Sequence, residues 1–361
     1  MFRFIFSCIR KAFNQSNTSL DTSEWPEGFC SPSVCKEIIF ELTETQLSMD
    51  TCPIMEIVQK YSSQFLHVEI YCIYSMETRL IKRWCRHFIV FLQILASNSK
   101  LISVKFLYLS NCFKHIDTPT YVDICRTIIH FLESQHRLKR VVFNICSFRF
   151  DEGVEILGKL TENSRESLTH LVLQEFIRYE PMDKVISSSH DSFVISPSTA
   201  AQKLPIILID FPSLTTLETD YSLILENIVA CQSTAIQTIK NCGKLVLSNI
   251  SIHYDYRLIP IEFFQGLTST DWQFLKILCP DLQVELVIHT NLSSRRELEF
   301  LIVPNMPITR LTYLCDNSNI EMDTYVLFGH LLACKTNDHL VSLSVGWEMP
   351  IPDLVHAFPP F

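Results

Sequence analysis

The side chains most able to do chemistry in this chain are its 14 cysteines and 12 histidines, and the first use to weigh for them is metal binding. A structural zinc site needs closely spaced ligand pairs, and no Cys-x-x-Cys occurs anywhere. The nearest arrangements are Cys85-x-His87 with Cys112-x-x-His115, and Cys30 with Cys35. Cys85 and His87 fall within a stretch of helical periodicity, where residues two apart point to different faces and do not share an ion. Nucleophilic and phosphate chemistry lack their signatures as well. There is no Gly-x-Ser-x-Gly, no Gly-x-x-x-x-Gly-Lys-Ser/Thr and no His-Glu-x-x-His. Gly153 and Gly158 have phosphate-loop spacing, but Leu160 follows Lys159 where a hydroxyl is needed, and the segment carries a helical stripe. The paired carboxylates Asp151-Glu152 and Glu297 with Glu299 stand at helix starts or on exposed faces, where they complement the macrodipole or are solvated. The expectation is therefore no enzyme, no catalytic residue, no metal and no cofactor.

Composition points the same way. Glycine numbers 7 in 361 residues, roughly 2% against about 7% in ordinary chains, so backbone that must approach a phosphate or bend at a nucleophile is scarce. The chain is 47% hydrophobic and 19% charged, enough to bury a large core. Thirty Lys+Arg against 39 Asp+Glu leave a net charge of −9, so a surface for polyanions would have to be local. Neither a nucleic-acid nor a membrane partner is expected, since apolar runs such as 88–96 are about half of the roughly 20 residues a span requires. Residues 1–8 hold a short apolar run interrupted by Arg3, with no small-residue cleavage site of the signal-peptide kind, so the expected location is cytoplasmic, with the nucleus as an alternative, and the cysteines are expected to be reduced and to pack as small hydrophobes.

Something must position these residues, and the candidate is an internal repeat. An apolar residue, two variable ones, an apolar one, one variable and an apolar one recur as Phe65-x-x-Val68-x-Ile70, Leu101-x-x-Val104-x-Phe106, Leu138-x-x-Val141-x-Phe143 and Leu168-x-x-Leu171-x-Leu173. The pattern continues at Leu214-x-x-Leu217, Ile236-x-x-Ile239, Leu282-x-Val284-x-Leu286, Ile308-x-x-Leu311-x-Tyr313 and Leu340-x-x-Leu343-x-Val345. Alternation of this kind makes short strands with apolar residues turned inward. The copy from Leu138 to Phe148 fits the leucine-rich-repeat template, with Cys146 at its Asn/Cys position as an interior packing residue.

Helical stripes lie between the strands. Residues 79–96 place Leu80, Trp84, Phe88, Phe91, Leu92 and Leu95 on one face and Arg79, Lys82, Arg83 and Arg86 on the other, a solvated basic face. Residues 121–133, 152–162 and 323–334 behave alike, and Ser293 or Ser294 is the expected N-cap of a helix carrying Leu298, Leu301 and Ile302. The predicted architecture is α/β, an irregular leucine-rich-repeat-like solenoid of short parallel strands alternating with helices. Residues 1–45 form a separate N-terminal segment, and the solenoid runs over 46–361 with a mobile insertion at about 179–205, where Ser187, Ser188, Ser189 and Ser192 stand among prolines.

The stretch from Arg79 to Leu173 resembles the F-box only proteins with a C-terminal leucine-rich-repeat-like domain. It carries Leu138-Lys139-Arg140-Val141, Glu152-Gly153-Val154-Glu155-Ile156-Leu157, Glu162-Asn163-Ser164 and Leu168-Thr169-His170-Leu171; Asp271-Trp272-Gln273-Phe274-Leu275 and Pro307-Ile308-Thr309-Arg310-Leu311 fit the later part. The resemblance implies a substrate-recognition subunit of an SKP1–cullin–F-box ubiquitin ligase. In it, residues 6–13 match the end of the last F-box helix and Trp25 the tryptophan after it, so SKP1 and cullin are expected partners only where an F-box is present. The alternative is a protein-binding scaffold unconnected with ubiquitin. Either way the expected contacts are outward strand positions: Ser103, Lys105, Lys139, Arg140, Val142, Thr169, His170 and Val172.

Overall fold

The computed structural model describes residues 36–49, 52–72, 77–178, 207–224, 245–256, 266–290, 295–315 and 320–347. Its strands are β1 (Glu37–Phe40), β2 (His67–Tyr71), β3 (Ser103–Leu107), β4 (Arg140–Asn144), β5 (His170–Gln174), β6 (Thr216–Asp220), β7 (Asn249–Asp255), β8 (Gln283–Thr290), β9 (Ile308–Cys315) and β10 (Ser342–Trp347). They form one sheet in sequence order, and every neighbouring pair is parallel. The helices are α1 (Glu44–Ser48), α2 (Pro53–Tyr61), α3 (Thr78–Leu95), α4 (Ser110–Phe113), α5 (Thr118–Glu133), α6 (Phe150–Ser164), α7 (Ile207–Asp210), α8 (Ser269–Leu278), α9 (Arg295–Leu301) and α10 (Ile320–Ala333). The fold is an α/β solenoid.

The alternating pattern dictates the core. Ile70, Phe106, Phe143, Leu173, Thr219, Ile252, Leu286 and Leu311 stand side by side in register and turn inward onto the helices. Each helix contributes its apolar stripe to the same continuous cluster: Trp84, Phe88 and Phe91 from α3, Ile124, Ile128 and Phe131 from α5, and Ile156, Leu157 and Leu160 from α6. Leu80 is only half-buried, and Ile81 takes the buried place at that turn. Phenylalanines run through the core from repeat to repeat; the Phe106 and Phe143 rings stack at 5.0 Å, and Phe148 packs on both Phe143 and Phe176.

Local polar chemistry closes each turn of the stack. At the start of α5 the Asp117 carboxylate accepts the Thr120 N–H, and at the start of α8 Thr268 and Asp271 form a reciprocal capping box. Between α3 and β3, buried Asn98 donates to the Ser62 and Phe65 carbonyls and accepts from Lys100 N–H at 2.9 Å, tying one repeat to the next. Hydroxyls repeat this at strand entries: Thr169 donates to the Lys139 carbonyl, Thr215 to Thr169 and Ser248 to Thr215. Strand exits need left-handed backbone, and non-glycine residues supply it at Tyr108 (φ 62°), Ile145 (φ 54°) and Glu175 (φ 46°). Cys146, next to Ile145, is fully buried and its Sγ donates to the Phe106 carbonyl, in keeping with its interior template position.

Several expectations change. Glu37–Phe40 already pairs with β2, so the boundary placed after residue 45 cuts α1 and separates β1 from the sheet it belongs to; Cys35-x-x-Ile38-x-Phe40 carries the repeat spacing with cysteine in the first apolar place. The copy at Ile236-x-x-Ile239 lies outside the described residues, and the sheet passes directly from β6 to β7. Strand β7 belongs to Leu247-x-x-Ile250-x-Ile252, and the copies beginning at 214, 247 and 282 are then 33 and 35 residues apart. Not all cysteines are isolated: Cys72, after β2, is disulfide-bonded to Cys112 in α4 with a Cα–Cα distance of 6.8 Å. Cys52, Cys85, Cys125, Cys146, Cys279 and Cys334 are free and buried, and Cys315 is buried as well. The insertion at 179–205, the caps Ser293 and Ser294, and residues 1–35 lie outside the described residues.

Candidate functional site

Helices cover one face of the sheet, and the other carries the alternate residues of every strand. Register sets these in rows. One row runs Glu69, Lys105, Val142, Val172, Glu218, Ser251, Glu285 and Arg310 from β2 to β9. The row nearer the strand entries runs His67, Ser103, Arg140, His170, Thr216, Asn249 and Gln283.

All eight expected contact residues map to this face or its entry rim, with different fates. Lys139 and Arg140 are exposed. Lys105 is partly exposed and held by Glu69 at 2.7 Å. Thr169 is half-buried with its hydroxyl donated to the Lys139 carbonyl. His170 is half-buried, and its imidazole is held below the usual histidine range by burial first and then by the neighbouring Arg140 charge. Ser103, Val142 and Val172 take the outward register but are only 6%, 6% and 4% exposed, so they offer little area for contact. Parallel strands lie roughly 4.8 Å apart, so longer neighbours close over a short valine. Glu37, His67, Glu69, Ser103, Lys105 and Arg140 surround a depression of about 230 Å3 over the entries of β1–β4.

Sequence spacing missed a second cluster, farther along the face. His253 Nε2 lies 3.0 Å from Glu218 Oε1, Gln174 Nε2 lies 3.2 Å from His253 Nδ1, and Ser251 Oγ lies 3.4 Å from Nε2. Asp220 Oδ2 accepts the Glu175 N–H at 2.8 Å, ending the ladder beside them. The bond from His253 holds the Glu218 carboxyl below the usual range, whereas burial pushes the Asp220 carboxyl up to about 7. Serine, histidine and glutamate together invite a nucleophilic reading, but the geometry opposes it. A relay needs carboxylate and hydroxyl on opposite ring nitrogens, and here both stand at Nε2. With Gln174 donating to Nδ1, Nε2 carries the ring proton for Glu218 and has no lone pair for the Ser251 proton. The signal that would have found the cluster is the Leu247-x-x-Ile250-x-Ile252 copy, which sets Ser251 and His253 outward beside Glu218.

The Cys85, His87, Cys112 and His115 arrangement does not assemble: Cys112 is bonded to Cys72, and Cys85 is buried with its thiol pushed up to about 12. Among the described residues no group of three or more His, Cys, Asp or Glu side chains is placed to hold a metal ion. No described helix is long and apolar enough to cross a membrane.

No family model matches the chain, and no curated protein matches it. A solved structure, the leucine-rich repeat-containing protein LegL7 from Legionella pneumophila, is similar at 11% identity over 81% of this chain and 96% of that one, with a TM-score of 0.25. The fold assignment stands on strand order and register, independently of that likeness.

Proposed function

We propose that this protein is a non-enzymatic binding module that engages other proteins through the uncovered face of its sheet. One observation carries the reading: that face presents partly exposed polar and charged side chains from β2 to β9, and among the described residues no helix lies over it. An extended surface of this kind offers many weak, geometrically fixed contacts and suits recognition of a protein segment.

Affinity capture from a cell extract with the full chain tests it, comparing wild type with Glu285→Lys/Arg310→Glu on the open face and Asp123→Lys/Arg126→Glu on the helix side. Partners lost only with the first variant support the reading. Partners lost only with the second place recognition on the helices and overturn it.

The F-box resemblance carries a narrower form, a substrate receptor of an SKP1–cullin ubiquitin ligase in the cytoplasm or nucleus. What supports it is the resemblance in sequence; the stretch it matches to the F-box, residues 6–13, lies outside the described residues. SKP1 in the captured material supports this form, and its absence from captures of the full-length product favours a scaffold unconnected with ubiquitin.

A further inference from the structure

The open face carries a local charge opposite to that of the whole chain. The net charge is −9, yet the turn entering β4 reads His136-Arg137-Leu138-Lys139-Arg140. Arg137, Lys139 and Arg140 are exposed, and so is Lys100, at the equivalent turn position entering β3. Ile102 O accepts both the Lys139 and Arg140 N–H groups, which fixes the two turns against each other. Among the described residues no carboxylate lies within ion-pair distance of these four cations. On the helices Arg79 is matched by Glu77 at 2.6 Å, Arg126 by Asp123 at 3.3 Å, and Lys159 by Glu133 and Glu162 at 3.2 and 3.0 Å.

Beyond β5 the entry row itself carries no charge, and Asp281 is exposed in the turn before β8. Thr216, Asn249 and Gln283 follow in register and offer hydroxyl and amide groups at least partly open to solvent. From β3 to β8 is five inter-strand steps, about 24 Å, which an extended peptide crosses in roughly seven residues. No Phe, Tyr or Trp occurs in the turns that carry these cations, residues 97–100 and 136–140, as a broad platform for stacking bases, which favours a peptide over a single-stranded nucleic acid.

We propose that an extended acidic segment of a partner protein docks across the strand entries, its carboxylates on Arg137, Lys139 and Arg140 and its following residues on Thr216, Asn249 and Gln283. Charge complementarity carries the assignment, since unmatched cations on an acidic protein favour an anionic partner and disfavour self-association. The inference deepens the protein-binding reading and rests on it.

Fluorescence anisotropy with the full chain tests it, using a labelled peptide of three glutamates followed by four glycine and serine residues. The same peptide with lysines for glutamates and a seven-nucleotide oligothymidylate serve as comparisons. The acidic peptide is expected to bind, and Lys139→Glu/Arg140→Glu to weaken it about tenfold or more. Arg79→Glu/Lys82→Glu on α3, an equal change of charge, is expected to alter it less than about twofold. Lys139→Gln/Arg140→Gln, which adds no repulsion, repeats the comparison if the reversal perturbs folding. Equal weakening by both reversals, or no binding to wild type, overturns the inference. Oligothymidylate bound as tightly as the acidic peptide, with the same loss on reversal, overturns it in favour of nucleic acid. If wild type ignores the acidic peptide while Glu285→Lys/Arg310→Glu still abolishes capture, the acidic segment is wrong and the protein-binding reading stands.

Discussion

Asp220 ends β6 with a carboxyl that burial makes costly to ionise, even though its Oδ2 accepts the Glu175 N–H. Its pKa in the fold, about 7, lies above the ordinary 3.8, so its stabilising contribution is complete below about 3.8 and is lost as pH rises through about 7. Asp220→Asn keeps an acceptor for Glu175 and removes the titration. Urea melts should show the variant gaining on wild type at pH 8 and the difference shrinking towards pH 5; an identical slope in both proteins would disprove the assignment. Glu218 acts with the opposite sign. Its carboxyl is held low by His253, so its contribution is present above the ordinary carboxylate range and lost as pH falls through it. At this scale alternation alone picked out Lys139 and Arg140 as exposed. It missed Asp220 and His253 because their partners, Glu175 and Gln174 on one side and Glu218 on the other, are remote in sequence.

Single polar side chains couple one strand–helix element to the next. Asn98 joins the turn before β3 to the carbonyls of Ser62 and Phe65 at 2.6 and 2.9 Å, and alanine there leaves the buried Phe65 carbonyl, the partly buried Ser62 carbonyl and the Lys100 N–H without it. Asn98→Ala is expected to cost about 2–4 kcal/mol, read as a drop in the urea midpoint without a change of slope. A cost under about 0.5 kcal/mol would mean that water replaces the side chain fully. Most strands and the long helices α3, α5 and α6 were legible, because two-residue and 3.6-residue periods are strong over these lengths. Strands β1 and β7 were not read. In β1 the first apolar place is held by cysteine, and in β7 a competing apolar spacing at Ile236 masked the copy at Leu247. Nor does spacing show that Cys72 and Cys112, 40 residues apart, meet where the exit of β2 lies beside α4.

Across the whole molecule, each repeat contacts mainly its neighbours, so stability is distributed along the stack. Strands β3, β4 and β5 have a paired strand on both sides and fully buried inward rows, whereas among the described strands β10 pairs only with β9. Val341 before β10 is 84% exposed, and on α10 Tyr325 and Leu332 are 79% and 66% exposed. Hydrogen exchange should therefore be slowest in β3–β5 and faster by orders of magnitude in β10 and α10. Uniform protection from β1 to β10 would instead indicate a single cooperative unit. The sequence by itself determined that this chain builds parallel strands backed by helices and which residues turn inward, because both follow from local periods that each strand and helix obeys alone. Only the tertiary structure decided which outward residues meet. Lys105 reaches Glu69 and Glu218 reaches His253 across neighbouring strands, and that pairing depends on register between segments some 35 residues apart, which no local period specifies.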